Sequence, residues 1–235
     1  MYITFYIVLD IIAYIGYYFN KKGDQMSEKD MFSKAINFRH ACKVFDENKK
    51  ISDEDIRYIL EAGRLSPSAF GMEGWKFLVI TNQNLKEEMR PFCWNQTQIT
   101  TCSHLVIILG AINSLKLESG IPQKRFQRRD LPGERIEQYI GVYKNYIDAI
   151  GDDKDIFAWS SKQTYIAAAN MMDAAAVLEI DSCPIEGFEK RKIDELLNLD
   201  TNEFQTSLIL PFGYRVKPQP EKIRRNFDEV VEFIR

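Results

Sequence analysis

From Ser27 onward the apolar and polar positions fall into regular periods. Met31, Phe32, Ala35 and Ile36 recur at helical spacing behind Ser27 and Asp30, whose separation by three residues makes a capping-box-like start. The pattern predicts a helix that delivers Arg39 and His40 at its end. The stretch "ISDEDIRYILEAGRL" repeats the device, with Ser52 as N-cap, Asp55 at the third helical position, and Ile51 and Ile56 placed as a hydrophobic staple. A second helix should therefore run to about Leu65.

Three apolar runs read as buried strands: "WKFLVIT" (75–81), "HLVIILGAI" (104–112) and "TSLILPFGY" (206–214). Residues 115–155 are polar, with Lys, Arg, Asp and Gly scattered through them, and are expected to form an excursion of mobile helices and loops. Residues 157–178 are helical in pattern but apolar nearly all round, with seven Ala and the pair Met171 and Met172. Such a helix is buried on most sides, and a second copy of the chain is one way to cover it. Strands and helices mix without a regular βαβ repeat, so the expected fold class is α+β.

A chain of 235 residues can bury a full core as one domain, here taken as residues 26–235. Residues 1–19 are almost wholly apolar and long enough to span a membrane. Asp10 interrupts them at mid-run, where a carboxylate costs about 2.5–3.5 kcal/mol. We expect Met26 to be the start and residues 1–25 to be translated upstream sequence; a membrane anchor is the alternative.

With 28% charged residues and a net charge of −3, nothing points to a nucleic-acid surface. Cys42, Cys93, Cys102 and Cys183 form no C-x-x-C pair, and His40 and His104 are the only histidines, which argues against a metal site. Three of the four cysteines lie beside apolar segments and read as small buried hydrophobes in a reducing cytoplasm.

No phosphate loop, dinucleotide fingerprint, zinc-protease helix or nucleophile elbow occurs. Scarcity of histidine disfavours a hydrolytic triad and leaves the chemistry to a bound cofactor. Three clusters suggest an anion joined to a planar group: Arg39 and Lys43 in "RHACKVFD", the Ser/Gly-rich loop "SPSAFGMEGWKF", and Lys222, Arg224 and Arg225 in "EKIRRNFDEVVEF". Taken singly, these read as a solvated helix end, an ordinary turn and a soluble charged face.

Together, and in this order, "FRHACKVFD", "RLSPSAFGMEGWKFLVI", "WNQTQITTCSHLVI", "FAWSSKQTYIAAANMM", "DSCPIEGF" and "FGYRVKPQPEKIRRNFDEVVEF" resemble the nitroreductase family of flavin mononucleotide (FMN) enzymes. The likeness is strongest to the oxygen-insensitive NAD(P)H nitroreductases of epsilonproteobacteria and runs from about Phe32 to the C-terminus. It implies a central, mostly antiparallel sheet flanked by helices in an intertwined homodimer. It also implies FMN as cofactor, NADPH or NADH as donor, and two-electron ping-pong reduction of nitroaromatics, quinones or similar small acceptors.

By the same resemblance, Arg39, His40, Ala41 and Lys43 contact the flavin, with Ala41 standing where many members have Ser. Pro67 and Ser68 reach the flavin of the other subunit, while Ala69 and Gly71 depart from the usual Ser and Asn. Asn95 and Gln98 meet the pyrimidine edge, Gln98 often being Lys in relatives, and an amide there should lower the flavin's potential. Pro184, Ile185, Glu186 and Gly187 run along the isoalloxazine ring, with amides near Glu186 and Gly187 donating to N5 and O4. Lys222 and Arg224 grip the phosphate, and Phe70 and Met72 face the substrate. No protein side chain is assigned as nucleophile. Two other readings stay open: a flavin-binding protein without turnover, and a quinone or pteridine reductase with incidental nitroreduction.

Overall fold

The computed structural model describes residues 27–235; the apolar run 1–19 and the Met26 start lie outside the described residues. The first expected helix is α1 (Glu28–Phe38), and the Asp30 amide donates to Ser27 Oγ at 3.2 Å. The second, α2 (Asp53–Arg64), is capped in the same way by Ser52, with Ile51 and Ile56 both buried at its foot.

Four strands make one antiparallel sheet in the order β1-β2-β4-β3: β1 (Trp75–Ile80), β2 (His104–Ala111), β3 (Asp181–Ser182) and β4 (Phe204–Gly213). The α+β expectation holds. Every residue of β2 is buried, because helices and loops cover both faces of the sheet. That is why its sequence is a continuous apolar run rather than an alternating one.

On one face, Leu105, Ile107, Leu109 and Ile209 pack against Met89 of α3 (Gln83–Met89), Ile99 of α4 (Gln98–Thr101) and the segment between them. Ile193 of α8 (Lys190–Leu196) joins the same cluster. On the other face, Val106, Ile108, Leu208 and Leu210 meet Ile56 and Ile59 of α2 and Ala168, Met171 and Ala175 of the long helix α7 (Asp153–Val177). Helix α7 packs so closely on α2 that a Cβ added at Gly63 would lie 2.1 Å from Met171 Cε.

The segment 115–155, expected as a mobile excursion, holds α5 (Ile121–Gln127) and α6 (Gly133–Ile150) with a core of their own. Ile136, Ile140, Tyr143 and Ile147 form a helical stripe that closes over Phe126, Leu115 and Trp159. Charged residues between these positions hide the period from a reading of composition. Among the described residues no helix is long and apolar enough to cross a membrane.

Candidate functional site

Helix α7 ends earlier than "PIEG". Glu179 takes a left-handed conformation (φ +56°), and the Ile180 amide returns to the Ala175 carbonyl at 2.8 Å, a Schellman-type stop. The chain then enters the sheet. Beyond β3, the Cys183 amide bonds the Pro211 carbonyl at 3.2 Å, and Ile185 exchanges both backbone bonds with Ile209. Pro184 falls between them, where no sheet bond to β4 is needed, as suits proline on an edge.

Outside this edge runs the segment 39–46. The Cys42 amide bonds the Ser182 carbonyl at 3.1 Å, and Ala41 is bridged to Ser182 in parallel. A cleft of about 280 Å³ lies between residues 40–44 and 215–220.

At one end of this segment Arg39 forms the C-cap of α1, and Lys222 Nζ donates to the carbonyls of Ile36 and Arg39. The Lys222 ammonium thereby satisfies carbonyls that the helix end leaves open. Partial burial, then the charges of Arg224 and Arg39, push its pKa down against the opposing pull of Asp173. Three cations thus share one corner with Asp173, whose Oδ1 lies 3.0 Å from Arg39 Nε. His40 is also held below its ordinary pKa, by burial and then by Arg215, against the carboxylate of Asp181 3.5 Å away. Asp181 itself is buried and accepts from the Arg215 amide and guanidinium at 2.8 Å.

At the other end Lys43 Nζ lies 3.6 Å from Cys183 Sγ, and Gln98 Nε2 reaches the same sulfur at 3.8 Å. Gln98 Nε2 also donates to Gln96 Oε1, and Gln96 Nε2 to the Gly187 carbonyl, each at 2.9 Å. Polar contacts thus connect Lys43 to the turn at Gly187. In that turn Phe188 bonds back to Glu186, while the amides of Glu186 and Gly187 donate to no acceptor among the described residues. Gly187 is required for close approach within the chain itself, since a Cβ there would lie 2.7 Å from the Trp94 ring. Glu186 Oε1 accepts from the Tyr165 hydroxyl at 2.7 Å.

The segments 39–43, 95–98, 183–187 and 222–224 therefore gather at the β3 edge. The loop at Pro67, Ser68 and Phe70 does not join them by any hydrogen bond or ion pair among the described residues. Ser68 Oγ accepts from the Glu73 amide at 2.8 Å. Phe70, with φ +56°, lies 5.2 Å from the Tyr143 ring and 5.1 Å from the Tyr146 ring. Met72, expected to face the substrate, is 2% exposed in the core around Tyr143, so within one chain it is a packing residue. The exposed side chain of Asn95 makes no hydrogen bond among the described residues, and its backbone is left-handed (φ +56°).

Gln96, Cys183 and Tyr165 were missed as site residues. The first two are an amide beside other amides and a cysteine in an apolar run, and neither carries a local period. Tyr165 is 40% exposed in the single chain, and its hydroxyl donates to Glu186.

Residues 36–214 match the model of the nitroreductase family. The chain belongs to the nitroreductase family. A Staphylococcus haemolyticus protein provisionally named an NAD(P)H nitroreductase is 40% identical over 219 residues, covering 88% of this chain and 99% of its own. A Haemophilus influenzae protein with the same provisional name is 42% identical over 205 residues, covering 83% and 93%. Among solved structures, a Bacillus subtilis protein provisionally described as a nitroreductase has a TM-score of 0.77 at 21% identity, covering 86% of this chain and 98% of its own. Another from Exiguobacterium sibiricum, solved in complex with FMN, has a TM-score of 0.73 at 23% identity, covering 86% and 96%. Nitroreductase membership fits a chain whose candidate site carries cations and amide donors and whose thiols there, Cys42 and Cys183, are buried with their pKa pushed up by that burial.

Proposed function

We propose that the chain is an FMN-dependent oxidoreductase that uses NAD(P)H to reduce nitroaromatics, quinones or similar small acceptors. The observation that carries this reading is the convergence, along one sheet edge, of a cationic corner, the Lys43 ammonium and two backbone amides that lack acceptors among the described residues. Lys43 has no carboxylate within ion-pair distance among the described residues, and the Glu186 and Gly187 amides lack acceptors. A planar group with an acceptor-rich rim and a phosphate tail fits that set.

Arg39, Lys222 and Arg224 would hold the phosphate by charge-assisted bonds. His40 and Ala41 would line the path along the extended segment, and Lys43, Asn95 and Gln98 would meet the pyrimidine rim. Pro184 and Ile185 would support the ring, with the Glu186 and Gly187 amides donating to its central edge. When bound, FMN supplies the two-electron centre that alternates between donor and acceptor. The chain's residues position the flat partners and fix donors where charge develops.

A homodimer completes this reading. Helix α7 exposes Ala158, Tyr165, Ile166, Ala169 and Val177 with Lys162 among them, and the segment after residue 222 exposes Ile223, Phe227 and Phe233. A second copy would cover these residues and bring Pro67, Ser68 and Phe70 over the neighbouring cofactor. The four buried free thiols support a reducing, cytoplasmic setting.

The test is an anaerobic titration of the purified protein with NADPH and NADH, followed on the flavin absorbance band, with a nitroaromatic added at the end. Bleaching followed by recovery is expected. Bound flavin that neither donor bleaches would sink the reductase reading and favour flavin storage or sensing.

A further inference from the structure

The last turn of α5 and the residues after it read "KRFQRRD", and three guanidiniums from this run gather around the loop 70–73. Arg129 donates to the Phe70 carbonyl at 2.7 Å, with its guanidinium 5.0 Å from the Phe126 ring centre and 5.3 Å from that of Tyr139. These contacts fix its planar fork in place. Arg128 pairs with Glu73 at 2.8 Å. Arg125 is half-buried, and its Nη1, fully shielded, has no hydrogen-bond partner among the described residues.

Burial holds the Arg125 pKa below its ordinary value, with Glu73 acting against that shift and Arg128 with it. Among the described residues Glu73 is the one carboxylate in ion-pair contact with this trio, with Glu203 acting on Arg125 from farther away, which leaves a surplus of positive charge. Nη1 is closed to a ligand as the side chain stands, and an anion would meet the unshielded Nε and Nη2 of the same guanidinium, which make no hydrogen bond among the described residues. The surplus lies beside Phe70, the aromatic expected to overhang the reacting ring.

We propose that Arg125, Arg128 and Arg129 form a phosphate-binding site for the nicotinamide dinucleotide donor. The proposal rests on the reductase reading, since it is that reading which brings such a donor to Phe70. The phosphate could be the pyrophosphate shared by NADH and NADPH or the 2′-phosphate found only on NADPH. Guanidinium forks recognise either through paired N–H donors.

The test uses the FMN-loaded protein and isothermal titration with NADP+ and with NAD+, so that binding is read apart from turnover. Arg125→Gln with Arg128→Gln should weaken NADP+ binding at least tenfold, with flavin content and thermal midpoint as folding controls. Arg129→Lys, which keeps the charge but loses the fork, should weaken it severalfold. Loss confined to NADP+ assigns the 2′-phosphate, and equal loss for both nucleotides assigns the pyrophosphate.

Unchanged affinity for both nucleotides in all variants, or no measurable NADP+ binding to the wild type, would overturn the site. The two readings fail separately. Wild-type protein that binds NADP+ but is not bleached by NADPH sinks the reductase reading alone, whereas bleaching with arginine variants unaltered in affinity sinks this site alone.

Discussion

The β3 edge and the excursion 113–150 are built in different ways, although both are assigned to the same chemistry. At the edge, side chains hang from extended backbone locked to the sheet: Ile185 to Ile209, Cys42 to Ser182, and Arg215 to the buried Asp181. In the excursion, Tyr143, Tyr146 and Arg129 are held, together with Phe70 of the loop packed against them, by ring contacts and by single bonds to carbonyls. Sheet hydrogen bonds fix direction, which suits a group that must always sit in one pose. Aromatic packing is adaptable, which suits partners that come and go. On the proposed reading, the difference would separate a cofactor floor from a substrate roof.

The largest expected effect lies in the floor. Asp181→Asn keeps the shape but leaves the Arg215 guanidinium without its buried partner, and breaking such a pair costs about 3–5 kcal/mol. Urea unfolding should show that loss together with weakened FMN binding. A change below 1 kcal/mol would mean that the bonds Arg215 already makes to Gln219 Oε1 and the Phe38 carbonyl suffice without the Asp181 charge, and that the floor does not depend on this ion pair.

A smaller effect is expected in the roof. Tyr143 is fully buried, and its hydroxyl donates to the Leu115 carbonyl at 2.7 Å. Tyr143→Phe leaves that carbonyl unpaired at a cost of about 1–3 kcal/mol. Hydrogen exchange should quicken across residues 113–150 while β2, β4 and FMN affinity stay as they were. Equal quickening at the sheet would erase the distinction between floor and roof.

Much of this architecture was legible in the sequence. Ser27 and Ser52 announced their helices because a cap is a local device, and β2 announced itself because burial on both faces leaves it apolar at every position after His104. The stripe of α6 was not legible from composition, since Glu137, Gln138, Lys144 and Asn145 separate its apolar positions. The segment "DSCPIEGF" was only half legible. Its turn was clear from Pro and Gly, but the pairing of Ile185 with Ile209 joins residues 24 apart and leaves no local mark. The contacts through Gln96 and Cys183 were invisible for the same reason: they exist only once three separate segments meet.

The most direct test of the floor is the FMN dissociation constant of the purified protein against that of Lys222→Ala with Arg224→Ala. Each charge-assisted bond contributes about 1.5–3 kcal/mol, so losing two should weaken binding by roughly a hundredfold or more and release the yellow cofactor on dialysis. Full retention of flavin by the double variant would contradict the assignment of this corner to the phosphate, and with it the placement of the cofactor along the β3 edge.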